Sequence, residues 1–368
     1  MRIALLGTRG VPAQYGGFET AAEEIGRRLV ESGHEVTVYC RNPGQTETEY
    51  LGMRLVNLPA LRHRATETLS HTALSVAHAV VRDHPDVAFV FNAANAPLVP
   101  PLKAARIPVA IHVDGLEWQR AKWGRRAAAY YRWAESRSAK WGDAVIADAV
   151  GIADHMRAAH GVESVFIPYG APIISPGPER LAEVGVTPRG YHLVVARFEP
   201  ENHVREIVEG YVASACSQPL VVVGDAPYAA AYRAQVRAAA GDDPRVRFLG
   251  SVWDPELLDC LYAHATTYLH GHSVGGTNPS LLRAIGAGAP VVAWDVSFNR
   301  EVAREAGRYA ADPAGFARAC EEAEADPAGT AARGLAGRAD VSQRYRWDDV
   351  AAGYEQLARD LAQRRNRS

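Results

Sequence analysis

Cysteine is scarce: the 368-residue chain holds four (Cys40, Cys216, Cys260, Cys320), scattered and without a CxxC pair. That usage excludes a disulfide framework and a zinc site written locally in the sequence, and it fits reduced thiols in a cytosol. Long apolar runs are missing too, since nothing reaches the roughly 18 residues that a membrane-spanning helix needs. The opening MRIALLGTRG is too short an apolar run for a signal peptide and reads as a first strand. Neither sign of charge dominates. With 40 Lys+Arg against 42 Asp+Glu the formal net charge is −2, which excludes a globally basic nucleic-acid binder.

Several chemistries lack their motifs. There is no GxGxxG and no GxxxxGK[ST], which weakens the dinucleotide and P-loop readings. HExxH and clustered Cys/His sets are absent, so metalloprotease chemistry has no foothold. No aspartates are spaced as Asp-x-Asp, a common metal–diphosphate clamp, and no metal is expected. Charge on a departing diphosphate would then be met by arginine, backbone N–H groups and a helix terminus.

What is present is an α/β chain. Hydrophobic content of 48% with 22% charged residues describes a globular protein, and the length favours two domains. Short β-branched runs alternate with longer helical patterns: RIALLG, EVTVYC, VAFVFN, PVAIHV, AVIAD and SVFIPYG first, then YHLVVARFEP, LVVVGDAP, RVRFLGSV, TTYLHG and PVVAWDV. The Pro/Gly-rich stretch 171–190 between the two series reads as a linker. Two facing Rossmann-like domains with a deep cleft are therefore expected, over 1–170 and 191–344, with a last helix over 345–368. Ligands of such sheets sit at the carboxyl ends of the strands.

Two glycine-rich loops fall there. GTRGVPAQYGGFET (7–20) joins the first strand to the first helix, and GHSVGGTNPSLLRAIGAGAP (271–290) joins a later strand to another helix. Glycine lets backbone approach a ligand and a helix N-terminus offers N–H groups to an anion, so a phosphate-bearing ligand held by both domains is expected. Arg197 in VARFEPENH follows a strand and suits a diphosphate; the bland alternative pairs it with Glu199 or Glu201. His112 and Asp114 in AIHVDGLEW also follow a strand, where histidine could orient a hydroxyl or meet charge and Asp114 could accept from a sugar hydroxyl. A structural role for His112 stands beside that reading. Glu19 and Asp114 are the candidate acceptor-side carboxylates. The stretch 117–141 carries seven Lys/Arg and four of the seven tryptophans. It reads equally as a helix at an anionic membrane surface or as a core-packed aromatic stripe with a basic back.

Together these features resemble the retaining glycosyltransferases of the GT-B fold, glycosyltransferase family 4, and most closely the bacterial rhamnosyltransferase-like branch. GTRGVPAQYGGFET, RFEPENH, HSVGGTNPSLLRA, FNREV and YRWDDVAAGYEQL carry the resemblance over nearly the whole chain. It implies a metal-independent transfer of a hexose or deoxyhexose from a nucleotide diphosphate to an acceptor hydroxyl, with retention of configuration. Gly16 and Gly17 would face the donor, Arg197 would hold its diphosphate, and Gly276, Thr277 and Asn278 would contact its sugar and phosphate. His112 would contact the sugar. The implied donor carries dTDP or UDP. The implied acceptor is a glycan, a lipid-linked glycan or a small glycosylated metabolite, and the location cytoplasmic or peripheral on the membrane's inner face.

Three positions depart from the wider family. Asn202 stands where a lysine is usual and Gly275 where the first glutamate of an E-x7-E motif is usual, both as in the branch. Arg283 occupies the place of the second, ribose-holding glutamate, and a guanidinium has no acceptor with which to replace it. The expectation is that Arg283 binds phosphate from the start of its helix and that a 2′-deoxy nucleotide loses least. A nucleotide-sugar-binding protein with little transfer activity is the competing reading, and an NAD-dependent oxidoreductase a third.

Overall fold

The computed structural model describes residues 1–367 except 14–15, 43, 62, 64–65, 114, 121–122 and 227. The chain divides into two compact units. Unit 1 comprises Met1–Gln119, Trp123–Gly170 and Trp347–Ser368; unit 2 comprises Arg120–Lys122 and Ala171–Arg346.

Unit 1 is built on eight strands: β1 (Arg2–Leu6), β2 (Glu35–Cys40), β3 (Glu49–Tyr50), β4 (Met53–Asn57), β5 (Val87–Phe91), β6 (Val109–Val113), β7 (Ala144–Ala147) and β8 (Val165–Phe166). Their order is β3-β4-β2-β1-β5-β6-β7-β8, parallel except for the short β3–β4 pair. VAFVF and VAIHV are buried at every position, as strands covered on both faces must be. The helix Gly17–Glu31 turns Ala21, Ala22, Ile25 and Leu29 inward at helical spacing. The chain's last helix, Trp347–Arg367, also belongs to this unit, where Arg28 Nε meets Asp348 at 2.8 Å and His34 Nε2 meets Glu355 at 2.9 Å.

Unit 2 has β9 (His192–Val195), β10 (Leu220–Val223), β11 (Val246–Gly250), β12 (Thr267–His270), β13 (Val291–Trp294) and β14 (Arg308–Ala310) in the order β11-β10-β9-β12-β13-β14, all parallel. Phe198, Ile207, Tyr211 and Phe316 fill one side of this sheet. Residues 171–190 are not a free-standing linker. They lie on unit 2 through Ala171 N–H to Tyr345 O (2.7 Å), Arg180 to Asp254 (2.8 Å) and the short turn Glu179–Val184.

In each sheet the strand order reverses once, between β1 and β5 in unit 1 and between β9 and β12 in unit 2. Those reversals open a crevice at the carboxyl ends of the strands. Both glycine-rich loops leave a strand at such a point.

Candidate functional site

In unit 1 the loop after β1 is held from within. Glu19 is buried, and its Oε1 accepts from Arg9 N–H at 2.8 Å. Burial raises its carboxyl pKa, while that backbone bond and the charges of Arg41 and Arg9 pull it back. Glu19 thus braces the loop. Gly16 caps the helix Gly17–Glu31 with φ 107°, a backbone that side-chain-bearing residues avoid. Asp114 lies outside the described residues.

His112 ends in a more demanding setting. It sits near the end of β6, 2% exposed, among the rings of Phe18, Phe91, Tyr169 and Tyr354. Burial pushes its pKa down to about 3, so the ring is neutral. Its Nδ1 lies 2.6 Å from the Tyr354 hydroxyl, which the last helix delivers, and its Nε2 is buried without a hydrogen-bond partner among the described residues.

In unit 2 the loops after β9 and β12 are stitched together. Asn202 Nδ2 donates to Arg197 O at 2.8 Å, so Asn202 shapes the arginine's loop from below. Ser273 donates through N–H (2.9 Å) and Oγ (3.1 Å) to Glu201 O. Gly271 makes that approach feasible, because a Cβ there would stand 2.0 Å from Asn202 O. Arg197 is half-buried and pairs with Glu199 at 3.9 Å, whose other oxygen accepts from Tyr228 at 2.7 Å. Gly275 has φ 142°, Gly276 and Thr277 are buried, and Asn278 heads the helix Pro279–Gly286. Its Oδ1 accepts from Ser280 N–H (2.9 Å) and Leu281 N–H (3.3 Å), so that side chain is engaged as an N-cap.

Arg283 does not sit where sequence reasoning placed it. The helix begins at Pro279, and Arg283 falls in its last turn, with Nε on Asp259 Oδ1 at 2.6 Å. It ties two helices together and lies at the carbonyl end, where the helix dipole favours a cation without any phosphate.

Beside Asn202, residues that sequence reasoning did not single out as ligand contacts carry the clearest chemical signal. Both carboxylate oxygens of Glu201, Oδ1 of Asn202, Nδ1 of His203, Nε2 of His270 and Oδ1 of Asn299 are buried without a hydrogen-bond partner among the described residues. All lie at the end of β12 or in the segments after β9 and β13. Each such atom costs about 1–3 kcal/mol unless something polar meets it, and gathered at a strand-order reversal they describe a ligand's bed. Asn299 Nδ2 reaches His272 O and Trp294 O, both at 2.9 Å, joining the β12 and β13 loops. His270 resembles His112: Nδ1 at 3.0 Å from Tyr268 Oη, pKa lowered to about 3 by burial.

The basic aromatic stretch is largely absorbed by the fold. Trp118 Nε1 donates to Glu135 (3.0 Å), Trp123 Nε1 to Glu117 (3.1 Å) and Tyr130 to Ala94 O (2.8 Å), while Arg132 lies over Trp118. Trp133 is exposed. Among the described residues no helix is long and apolar enough to cross a membrane. The fold also gathers side chains that the sequence scatters: Glu135 with His155 and His160, and His192 with Cys216 and Glu324. In both groups the carboxylate already accepts hydrogen bonds, from the two rings in the first and from Ser217 and Gln218 N–H in the second.

Comparison with known proteins bears on the fold and on the family of part of the chain. Residues 1–172 match the model of a domain of unknown function (DUF1972), and residues 190–326 that of glycosyl transferases group 1. Over 129 residues, 34% of this chain, the sequence is 29% identical to O-antigen chain mannosyltransferase B of Escherichia coli, a match spanning 33% of that protein. Sucrose-phosphate synthase from Thermosynechococcus elongatus has the same fold, with TM-score 0.84 at 22% identity over 98% of both chains. Anabaena HepE in complex with UDP-glucose gives TM-score 0.79 at 18% identity, over 97% of this chain and 99% of that one. The chain has the GT-B fold, and its residues 190–326 match a group 1 glycosyltransferase domain.

Proposed function

We propose that this protein is a metal-independent, retaining glycosyltransferase that moves a hexose or deoxyhexose from a nucleotide diphosphate to an acceptor hydroxyl. The observation that carries the proposal is the set of unpartnered buried polar atoms on the loops after β9, β12 and β13, inside the group 1 glycosyltransferase match. A sugar nucleotide is rich in hydroxyls, which can donate to carboxylate and amide oxygens and accept from a histidine N–H.

In this reading Arg197 takes the diphosphate. Gly275, Gly276 and Thr277 pass close to the sugar. The anomeric C–O bond to phosphate breaks as the bond to the acceptor oxygen forms on the same face. The acceptor's proton passes to the departing phosphate oxygen. No side chain need act as nucleophile, and neutral His112 assists only through hydrogen bonding. UDP is the favoured carrier because HepE binds UDP-glucose, with dTDP the alternative from sequence. The acceptor is a glycan or lipid-linked glycan, approached from the cytoplasmic side.

A thermal-shift panel of UDP, dTDP, GDP and ADP with their common sugars, in EDTA, tests the proposal. Ligands that bind the native state raise Tm. A shift with one nucleotide family, followed by release of that nucleoside diphosphate on adding glycan acceptors, is expected. No shift with any of them would sink the reading. Binding without turnover on any acceptor would favour a nucleotide-sugar-binding protein.

A further inference from the structure

The Tyr354–His112 pair determines what His112 can offer. The Tyr354 hydroxyl has one hydrogen, and among the described residues its one hydrogen-bond partner is His112 Nδ1, 2.6 Å away. Burial and the charge of Asp148 hold the phenol far above its usual pKa, so it keeps that hydrogen. The ring itself is neutral, with one N–H and one bare nitrogen. If Nδ1 carried the hydrogen, the hydroxyl hydrogen would have no acceptor. The arrangement that leaves fewest groups unpaired has Tyr354 O–H donating to Nδ1 and the imidazole hydrogen on Nε2. Nε2 is then a donor, buried and with no acceptor among the described residues. Phe18, Phe91 and Tyr169 pack round the ring and oppose its rotation.

We propose that Tyr354 is a positioning residue that locks His112 in the Nε2–H tautomer, making it a fixed hydrogen-bond donor to an oxygen of the bound sugar nucleotide. This rests on the donor-binding reading above and gives Tyr354 a role of its own. The recognised oxygen belongs either to the transferred sugar or to the diphosphate.

The test joins spectroscopy to a mutant cycle. Nitrogen-15 histidine spectra of the wild-type protein, with His112 assigned by its absence in His112→Gln, should show Nε2 protonated and Nδ1 bare from about pH 5 to 9. A protonated Nδ1 would overturn the proposal without any change to Tyr354. Tyr354→Phe should weaken UDP-glucose binding roughly three- to tenfold. In a His112→Gln background, whose amide supplies a donor near Nε2 without needing the phenol, the same change should cost nothing further. Equal losses in both backgrounds would mean that Tyr354 is merely structural. A loss for UDP-glucose but not UDP assigns the contact to the sugar, and an equal loss for both assigns it to phosphate. If wild-type protein binds neither UDP, dTDP nor their sugars, the ligand half falls with the functional reading, while the tautomer result still judges the pair.

Discussion

Each unit carries a histidine near the carboxyl end of a buried parallel strand, with Nδ1 on a tyrosine hydroxyl and Nε2 unpartnered, yet the two tyrosines arrive by different routes. Tyr268 stands two residues before His270 on the same strand, so the period of two puts both on one face. Tyr354 comes from the last helix, 242 residues after His112. The chemistry differs accordingly. Tyr268 also lies 3.4 Å from Val195 O, so its hydrogen has a second acceptor and the tautomer of His270 is not forced. Tyr354 has no such choice. A local pair can drift in what it presents to a ligand; a pair closed by tertiary packing is committed.

The units differ in charge as well. Unit 2 brings Arg197 to its strand ends, whereas unit 1 offers a neutral ring there. If that division is right, Arg197→Ala should have the largest effect of any change, weakening nucleotide diphosphate binding by roughly 10- to 100-fold in calorimetry. His112→Ala should then weaken the sugar nucleotide more than the bare nucleotide. A reversed order would erase the division.

Acid stability should treat the two histidines alike. In each the folded pKa is lowered from 6.5 to about 3, so the unfolded chain takes up the proton first. Their contribution is complete above 6.5 and is lost as pH falls towards 3. Replacing either with Gln should flatten the fall of unfolding free energy in that window by up to about 1.4 kcal/mol per pH unit, read by urea melts at several pH values. Unequal flattening would show that one ring is better shielded.

Smaller effects sharpen the contrast. Tyr268→Phe should change donor affinity less than Tyr354→Phe, because His270 keeps a choice of tautomer; both variants need only binding titrations. Smallest of all, Arg283→Ala should leave nucleotide affinity unchanged and lower stability by about 1 kcal/mol or less, the worth of a half-exposed ion pair. A marked loss of affinity would return Arg283 to the donor site.

Much of the fold was legible from sequence. Short β-branched runs alternating with helical patterns set out parallel α/β architecture, and the two glycine loops fell at strand ends because strand-to-helix turns at a sheet reversal need small residues. Arg197 could be picked out from its position after β9. Other features left weaker traces. Asn278 precedes a proline at a helix start, the mark of a cap, although its family likeness drew attention to ligand contact instead. Arg283 was misplaced because its partner Asp259 lies on a neighbouring helix.

By itself, then, the sequence determined which segments are strands and helices, which loops bend through glycine and where a guanidinium follows a strand, since these depend on neighbours within a few residues. Tertiary structure alone decided which buried polar atoms go unpaired. Hydrogen-bond satisfaction is a property of completed packing, as Glu201, Asn299 and the Tyr354–His112 pair show. That ledger of donors and acceptors exists only once distant segments have met.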